Sequence, residues 1–187
     1  GTVLNDGAVD RGPVVATVRS GACSRPEAAA AAAVTAEAVD VPDEAVRSRV
    51  LEAVKELSEA VNLEEAKVIV TGGRGMGSKE QFALVEELAA LLGGVVGATR
   101  PAIEDGWVSR AHQVGQSGKI VAPALYIACG VSGATQHVSG MSGSGYVVAI
   151  NKDEDAPIFD VADVGIVGDV AKVLPLMIEE IRQRKAE

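Results

Sequence analysis

Beyond residue 66 the chain repeats one unit: a short apolar run, a loop of glycines or small polar residues, then a helix-patterned stretch. KVIV runs into the loop TGGRGMGS. KEQFALVEELAALLGG follows, with Phe82, Leu84, Val85, Leu88, Leu91 and Leu92 on one expected buried stripe and a Gly-Gly stop. VVGAT reads as the next strand, and RPAIEDGWV as a turn with a proline just inside it. ALYIACG, YVVAIN and DVGIVG read as three further strands. SGATQHVSGM reads as a short helix capped by Ser132, and DVAKVLPLMIEEIRQRK as a terminal helix whose basic end suits its dipole. Strands alternating with helices predict an α/β fold, a mostly parallel sheet covered by helices on both faces. Such sheets take ligands at the carboxyl ends of their strands. The loops that follow the strands are therefore where function is read.

The first third of the chain is built differently. Of 21 glycines, 17 lie in residues 72–187, and all five aromatics (Phe82, Trp107, Tyr126, Tyr146, Phe159) lie beyond residue 81. Residues 1–65 are read as a connecting segment with nothing bulky to anchor a core, and 66–187 as the ligand-binding domain. Pro13–Arg19 (PVVATVR) and Val34–Val41 are read as strands. Residues 43–60 are read as a helix capped by Asp43, with Val46, Val50, Leu51, Val54, Leu57 and Val61 at helical spacing. A strand at 46–54 is the alternative.

Several function classes are excluded at this point. The net charge of −9 gives no basic face for a phosphate backbone, so nucleic acid is not the expected partner. No uncharged apolar run approaches the roughly 18 residues that span a bilayer. GTVLNDGAVDRG has no basic start and no apolar signal core, and Cys23 and Cys129 form no CxxC, so a reduced, intracellular chain is expected. No HxxxH, HExxH, GxSxG or strand-end acidic pair is present, which points away from metal, nucleophile and carboxylate chemistry. Loops rich in ligand-binding groups and poor in reactive ones predict that a cofactor carries the chemistry.

The loops themselves are specific. Thr71–Gly77 offers backbone N–H groups to an anion, with Arg74 as a bidentate donor, although a tight strand–helix turn is the alternative. Its spacing is neither GxGxxG nor a Walker loop, and the next strand ends in Thr99-Arg100 rather than in an acid for an NAD ribose. Gln113-Val114-Gly115-Gln116-Ser117-Gly118-Lys119 suits the edge of a planar heterocycle, with a polar turn as the alternative. Ser132-Gly133-Ala134-Thr135 suits a pyrophosphate, with His137 one turn further in, where a packed core residue is the alternative. Asn151 and Asp169 place small polar side chains at strand ends, where Asx caps are the plain explanation.

Together these segments resemble the α subunit of the electron transfer flavoproteins, specifically its C-terminal FAD-binding domain. VIVTGGRGMGS, VVGATRPAIEDGWV, QVGQSGKIVAPALYIACGVSGATQHVSGM and VVAINKDEDAPIFDVADVGIVGD follow in the family's order, over about residues 66–184, some two-thirds of the chain. The resemblance implies a Rossmann-like fold of the NAD/FAD-binding kind, holding FAD in an extended slot. Arg74 would contact the phosphate–adenosine part. Thr99 and Arg100 match the family's Ser-Arg pair, with the Arg near the flavin ring. Gln113, Val114, Gly115, Gln116 and Ser117 would line the ring, the Ser117 hydroxyl reaching the N5/C4-carbonyl edge. Ser132, Gly133, Ala134, Thr135, Gln136 and His137 would run along the cofactor, with His137 donating to the C2 carbonyl. Asn151, Asp169 and Val170 would hold the adenosine end. Arg100, Ser117 and His137 would tune redox behaviour, with no catalytic residue and no metal.

The electrostatics suit that assignment, because one-electron reduction places negative charge on the N1/C2-carbonyl edge. A charge-assisted donor there supplies on the order of 1–3 kcal/mol, equivalent to tens to roughly a hundred millivolts. Thr99 stands for the family's commoner Ser, Ser117 for Thr, and Thr135 for an apolar residue.

The family also implies partners: an electron transfer flavoprotein β subunit in a heterodimer, flavoprotein dehydrogenases such as acyl-CoA dehydrogenases, and a quinone-linked oxidoreductase. Fatty acid β-oxidation is the implied setting, in the bacterial cytoplasm or the mitochondrial matrix, peripheral to the membrane rather than in it. A bifurcating or nitrogen-fixation-type complex is the alternative within the family, and a nicotinamide-dependent oxidoreductase the alternative from another class. The family's N-terminal domain has no counterpart in the sequence, so a fragment or a split subunit is expected.

Overall fold

The computed structural model describes residues 7–18, 23, 33–42, 45, 46, 48 and 62–186. Five strands, β1 (Val68–Gly72), β2 (Val95–Ala98), β3 (Leu125–Cys129), β4 (Val147–Asn151) and β5 (Val164–Val167), form one sheet in the order β2-β1-β3-β4-β5, every pair parallel. The chain leaves β1 toward β2 on one side and returns to β3 on the other, which makes the β1/β3 boundary a topological switch point. Gly72 is in register with Ala98 and with Cys129, and Cys129 with Ile150. The strands thus end level, and their loops leave from one edge.

Side-chain alternation sorts the core into two layers. Val70, Ile127, Cys129 and Ile150 face α1 (Lys79–Leu92) and α4 (Val170–Ala186), which bury Phe82, Val85, Leu88, Leu174 and Ile178 against them. Ile69, Tyr126, Ala128, Val147 and Ala149 face the other way, where Leu63, Val114, Val121, Val131, Met141 and Ile158 cover them from loops and short helical turns. Leu63 is fully buried there, three residues ahead of the expected domain start.

α1 begins where Ser78 accepts the Gln81 N–H. It ends where Gly93, at φ 64°, turns the chain and the Gly93 and Gly94 N–H groups close on Ala90 and Ala89. Leu84, Leu91 and Leu92 are half-buried at the border of its stripe rather than inside it. α4 runs through Pro175 and ends in Arg184 and Lys185, as its dipole favours.

Four expectations are corrected. The stretch after β2 is a short helix, α2 (Arg100–Glu104), because Pro101 in its first turn presets helical φ and needs no N–H. The SGATQH helix, α3 (Thr135–Val138), starts three residues after Ser132, and no side chain caps it, because the chain first turns at Gly133 (φ 88°). No strand forms at the described residues 13–18 or 34–41; Val14, Val15, Val18, Val34, Val39 and Val41 are exposed. A strand there would need a paired neighbour, and none of the described strands pairs with either segment. The helix expected at 43–60 lies outside the described residues apart from 45, 46 and 48, and Arg19 is outside them too. Among the described residues, no helix is long and apolar enough to cross a membrane.

Candidate cofactor cleft

The level strand ends create one cleft of about 710 Å³ along the carboxyl edge of the sheet. That size matches a small-molecule or cofactor site. Its floor is backbone. Gly73 donates to the Cys129 carbonyl at 2.9 Å and Gly75 to the Gly130 carbonyl at 3.0 Å, so the loops after β1 and β3 are stitched together at the switch point. Burial pushes the Cys129 thiol up to about 12, which leaves it a packing residue.

Around that floor stand the side chains. Arg74, Arg100 and Lys152 bring three positive charges against the one acid, Asp153, on a chain whose net charge is −9. The local field therefore favours an anion. Arg100 is held to Glu104 at 2.7 Å, one helical turn away, and both side chains are largely exposed. Thr99 lines the cleft while 8% exposed, and its buried Oγ1 has no hydrogen-bond partner among the described residues. An unmet buried hydroxyl costs on the order of 1–3 kcal/mol, so a ligand group that satisfies it gains binding energy.

The 113–119 loop is wired rather than loose. Val114 N–H donates to Ala98, Lys119 N–H to Gln113, and Gln116 N–H to Gln136. The Gln113 Nε2 donates to Ser117 Oγ at 2.9 Å, which leaves the Ser117 proton free to point elsewhere. His137 is buried beside it. Its Nδ1 lies 3.1 Å from the Val114 carbonyl and its Nε2 2.9 Å from the Tyr126 hydroxyl, so both ring nitrogens are engaged by the protein. Burial lowers its pKa to about 4 against the opposing pull of the Val114 carbonyl, which leaves the ring neutral at neutral pH. Asn151 donates to the Val131 carbonyl at 2.9 Å and accepts from Asp153 N–H, tying the end of β4 to the loop after β3.

Most of the residues expected from the sequence meet here. Arg74, Thr99, Arg100, Gln113, Val114, Gly115, Gln116, Ser117, Ser132, Ala134, Gln136, His137 and Asn151 all line the cleft. Gly133, Thr135, Asp169 and Val170 do not. Gly133 makes the turn into α3 and Thr135 is exposed. Asp169 caps α4 through Oδ1 to the Ala171 N–H at 3.0 Å, and Val170 is buried in the core. The cleft adds Lys152 and Asp153, whose signal was their place directly after the β4 run, and Pro157. A glycine-lined floor, cations above it and an unmet hydroxyl fit a dinucleotide with an anionic centre and a hydrogen-bonding ring.

Comparison with known proteins agrees with that geometry. Residues 62–142 match the family model described as the electron transfer flavoprotein FAD-binding domain. The electron transfer flavoprotein subunit alpha of Thermoanaerobacterium thermosaccharolyticum is 51% identical over 178 residues, covering 94% of this chain and 54% of that protein. Protein FixB of Clostridium saccharobutylicum is 51% identical over 172 residues, 91% of this chain and 52% of that one. The acryloyl-CoA reductase electron transfer subunit beta of Anaerotignum propionicum is 45% identical over 180 residues, 92% and 49% respectively. The chain thus spans about half the length of the curated relatives it matches. With its parallel sheet, its switch-point cleft and these likenesses, the chain belongs to the electron transfer flavoprotein α-subunit family, through that family's FAD-binding domain.

Proposed function

We propose that this chain holds FAD in the strand-end cleft and serves as an electron-carrying module without substrate bond chemistry of its own. The carrying observation is the cleft, in which a buried, unpartnered Thr99 hydroxyl and three cations stand over a glycine floor. When bound, FAD supplies the one-electron redox chemistry. The chain's residues bind and orient it. Arg74 and Lys152 neutralise the pyrophosphate. Gln113 and Ser117 present hydrogen-bonding groups to the ring edge, and Arg100 sets positive charge beside it. Gly133, Thr135, Asp169 and Val170 stand outside the lining.

The relatives named as subunits point to a β subunit completing a heterodimer. The proposed assembly adds, from the family resemblance, a flavoprotein dehydrogenase as donor and a quinone-linked oxidoreductase as acceptor, in a bacterial cytoplasm or a mitochondrial matrix. The likeness to FixB and to an acryloyl-CoA reductase electron transfer subunit favours a second setting, a nitrogen-fixation-type or bifurcating complex.

The test is FAD titration of the purified chain, read by the visible flavin band and by quenching of flavin fluorescence. Stoichiometric, saturable uptake is expected. NADH binding in its place would overturn the reading.

A further inference from the structure

Two residues of the 113–119 loop share one hydrogen bond from different depths of the cleft wall. Gln113 is 5% exposed, whereas Ser117 is open to the cleft. The Gln113 Nε2 donates to the Ser117 Oγ at 2.9 Å. A hydroxyl that accepts from an amide keeps its own proton to give away. The buried amide therefore meets the cleft mainly through the serine in front of it.

We propose that Gln113 is a positioning residue that acts through Ser117: its amide fixes the Ser117 hydroxyl as a donor, so that this wall of the cleft selects a ring edge bearing a hydrogen-bond acceptor. The need for such a restraint follows from the loop backbone. The Gly118 N–H donates to the Gly115 carbonyl at 3.0 Å, which sets Gln116 and Ser117 at the two central positions of a tight turn. An exposed serine there has three staggered wells for its side chain and an O–H that turns freely. Gln113 by contrast is held from several sides. Its N–H donates to the Arg110 carbonyl at 3.1 Å, its carbonyl accepts from the Lys119 N–H at 2.8 Å, and it pairs with Ala98 at the end of β2. Gly118 also lies against its stem, where a Cβ would stand 2.9 Å from the Gln113 Cγ. An anchored residue thus orients a side chain at the tip of a turn, which is how a binding group is held to the required angle.

Only the binding half of the test rests on the FAD reading. The first half uses the FAD-free, 15N-labelled chain and reads its side-chain amide protons. The Gln113 pair is identified as the one absent from Gln113→Met. In the wild type, one proton of that pair is expected downfield and slow to exchange with solvent. Ser117→Ala should return it to the position of a solvated amide, and Ser117→Thr, which keeps a hydroxyl, should leave it in place. A pair that Ser117→Ala does not move would overturn the proposal, because Gln113 would then not be the donor to Ser117.

The second half is a double-mutant cycle on FAD affinity. Gln113→Met keeps an unbranched side chain of similar length and removes the amide. It is expected to weaken FAD about three- to tenfold in the wild type and in Ser117→Thr, and less than about twofold in Ser117→Ala. Equal losses in all three backgrounds would make Gln113 a packing residue or a direct contact and sink the proposal. A chain that binds no FAD in any variant would remove the cofactor reading, and the amide spectra would still decide whether Gln113 restrains Ser117.

Discussion

Gly75 and Gly130 meet backbone to backbone: the Gly75 N–H donates to the Gly130 carbonyl at 3.0 Å, and a Cβ on Gly75 would stand 2.6 Å from that same oxygen. This contact joins the loops of two adjacent strands at the switch point and leaves no room for a side chain in the cleft floor. Gly130 is constrained twice over. It holds φ at 62°, and its own Cβ would lie 2.7 Å from the Gly75 carbonyl carbon.

Gly130→Ala is therefore expected to lower the unfolding free energy by about 2–4 kcal/mol, from left-handed backbone strain together with overpacking. Urea denaturation of the FAD-free chain measures it. A loss below about 0.5 kcal/mol would mean that the two loops have slack to part.

Thr99→Val removes a buried hydroxyl that the protein itself leaves unmet. The FAD-free variant is expected to match the wild type or exceed it by about 1 kcal/mol, while its FAD affinity falls about tenfold. Opposite signs in the two measurements are the diagnostic feature. A destabilised variant with unchanged FAD affinity would assign Thr99 to packing.

Arg100 separates stability from binding in another way. Its ion pair with Glu104 is exposed, so Arg100→Ala should change the urea midpoint by no more than about 0.5 kcal/mol. FAD affinity should fall at least about tenfold, with a steep loss of the wild-type advantage as salt is raised. An Arg100→Ala chain that binds FAD normally would return this residue to the solvent.

The neutral, buried His137 makes a pH prediction with a definite sign. Its folded pKa of about 4 lies below the ordinary value of 6.5, so between those values the unfolded chain binds more protons than the folded one. The stabilisation is complete above about pH 6.5, is lost as pH falls, and is gone below about pH 4. Between pH 7 and pH 5 the wild type should lose about 2 kcal/mol more than His137→Gln, compared by urea denaturation at each pH. Parallel pH profiles would show that the imidazole titrates freely in the folded state.

The elements of the ligand-binding part were legible because they are written locally. Short continuous apolar runs such as VIVTG and LYIAC, and the helical stripe through Phe82, Val85 and Leu88, report their own burial within a few residues. Where a local signal was ambiguous the reading slipped. Pro101 looked like a turn marker and is part of the first turn of α2, and Ser132 looked like a cap although Gly133 redirects the chain before α3 begins.

The site divides along the same line. By itself the sequence determined that polar, glycine-rich loops follow each strand, and thus which residues were available to a cofactor. Only the tertiary structure decided which of them meet. Asp169 sits at the far edge of the sheet and caps its own helix, whereas Lys152 and Asp153 enter the cleft beside the switch point. Tyr126, read locally, is an apolar strand residue; parallel pairing and the return of α3 over the sheet place its hydroxyl against His137. Strand order and cross-chain contacts come from burying surfaces that are distant in sequence, and no window of neighbouring residues contains that information.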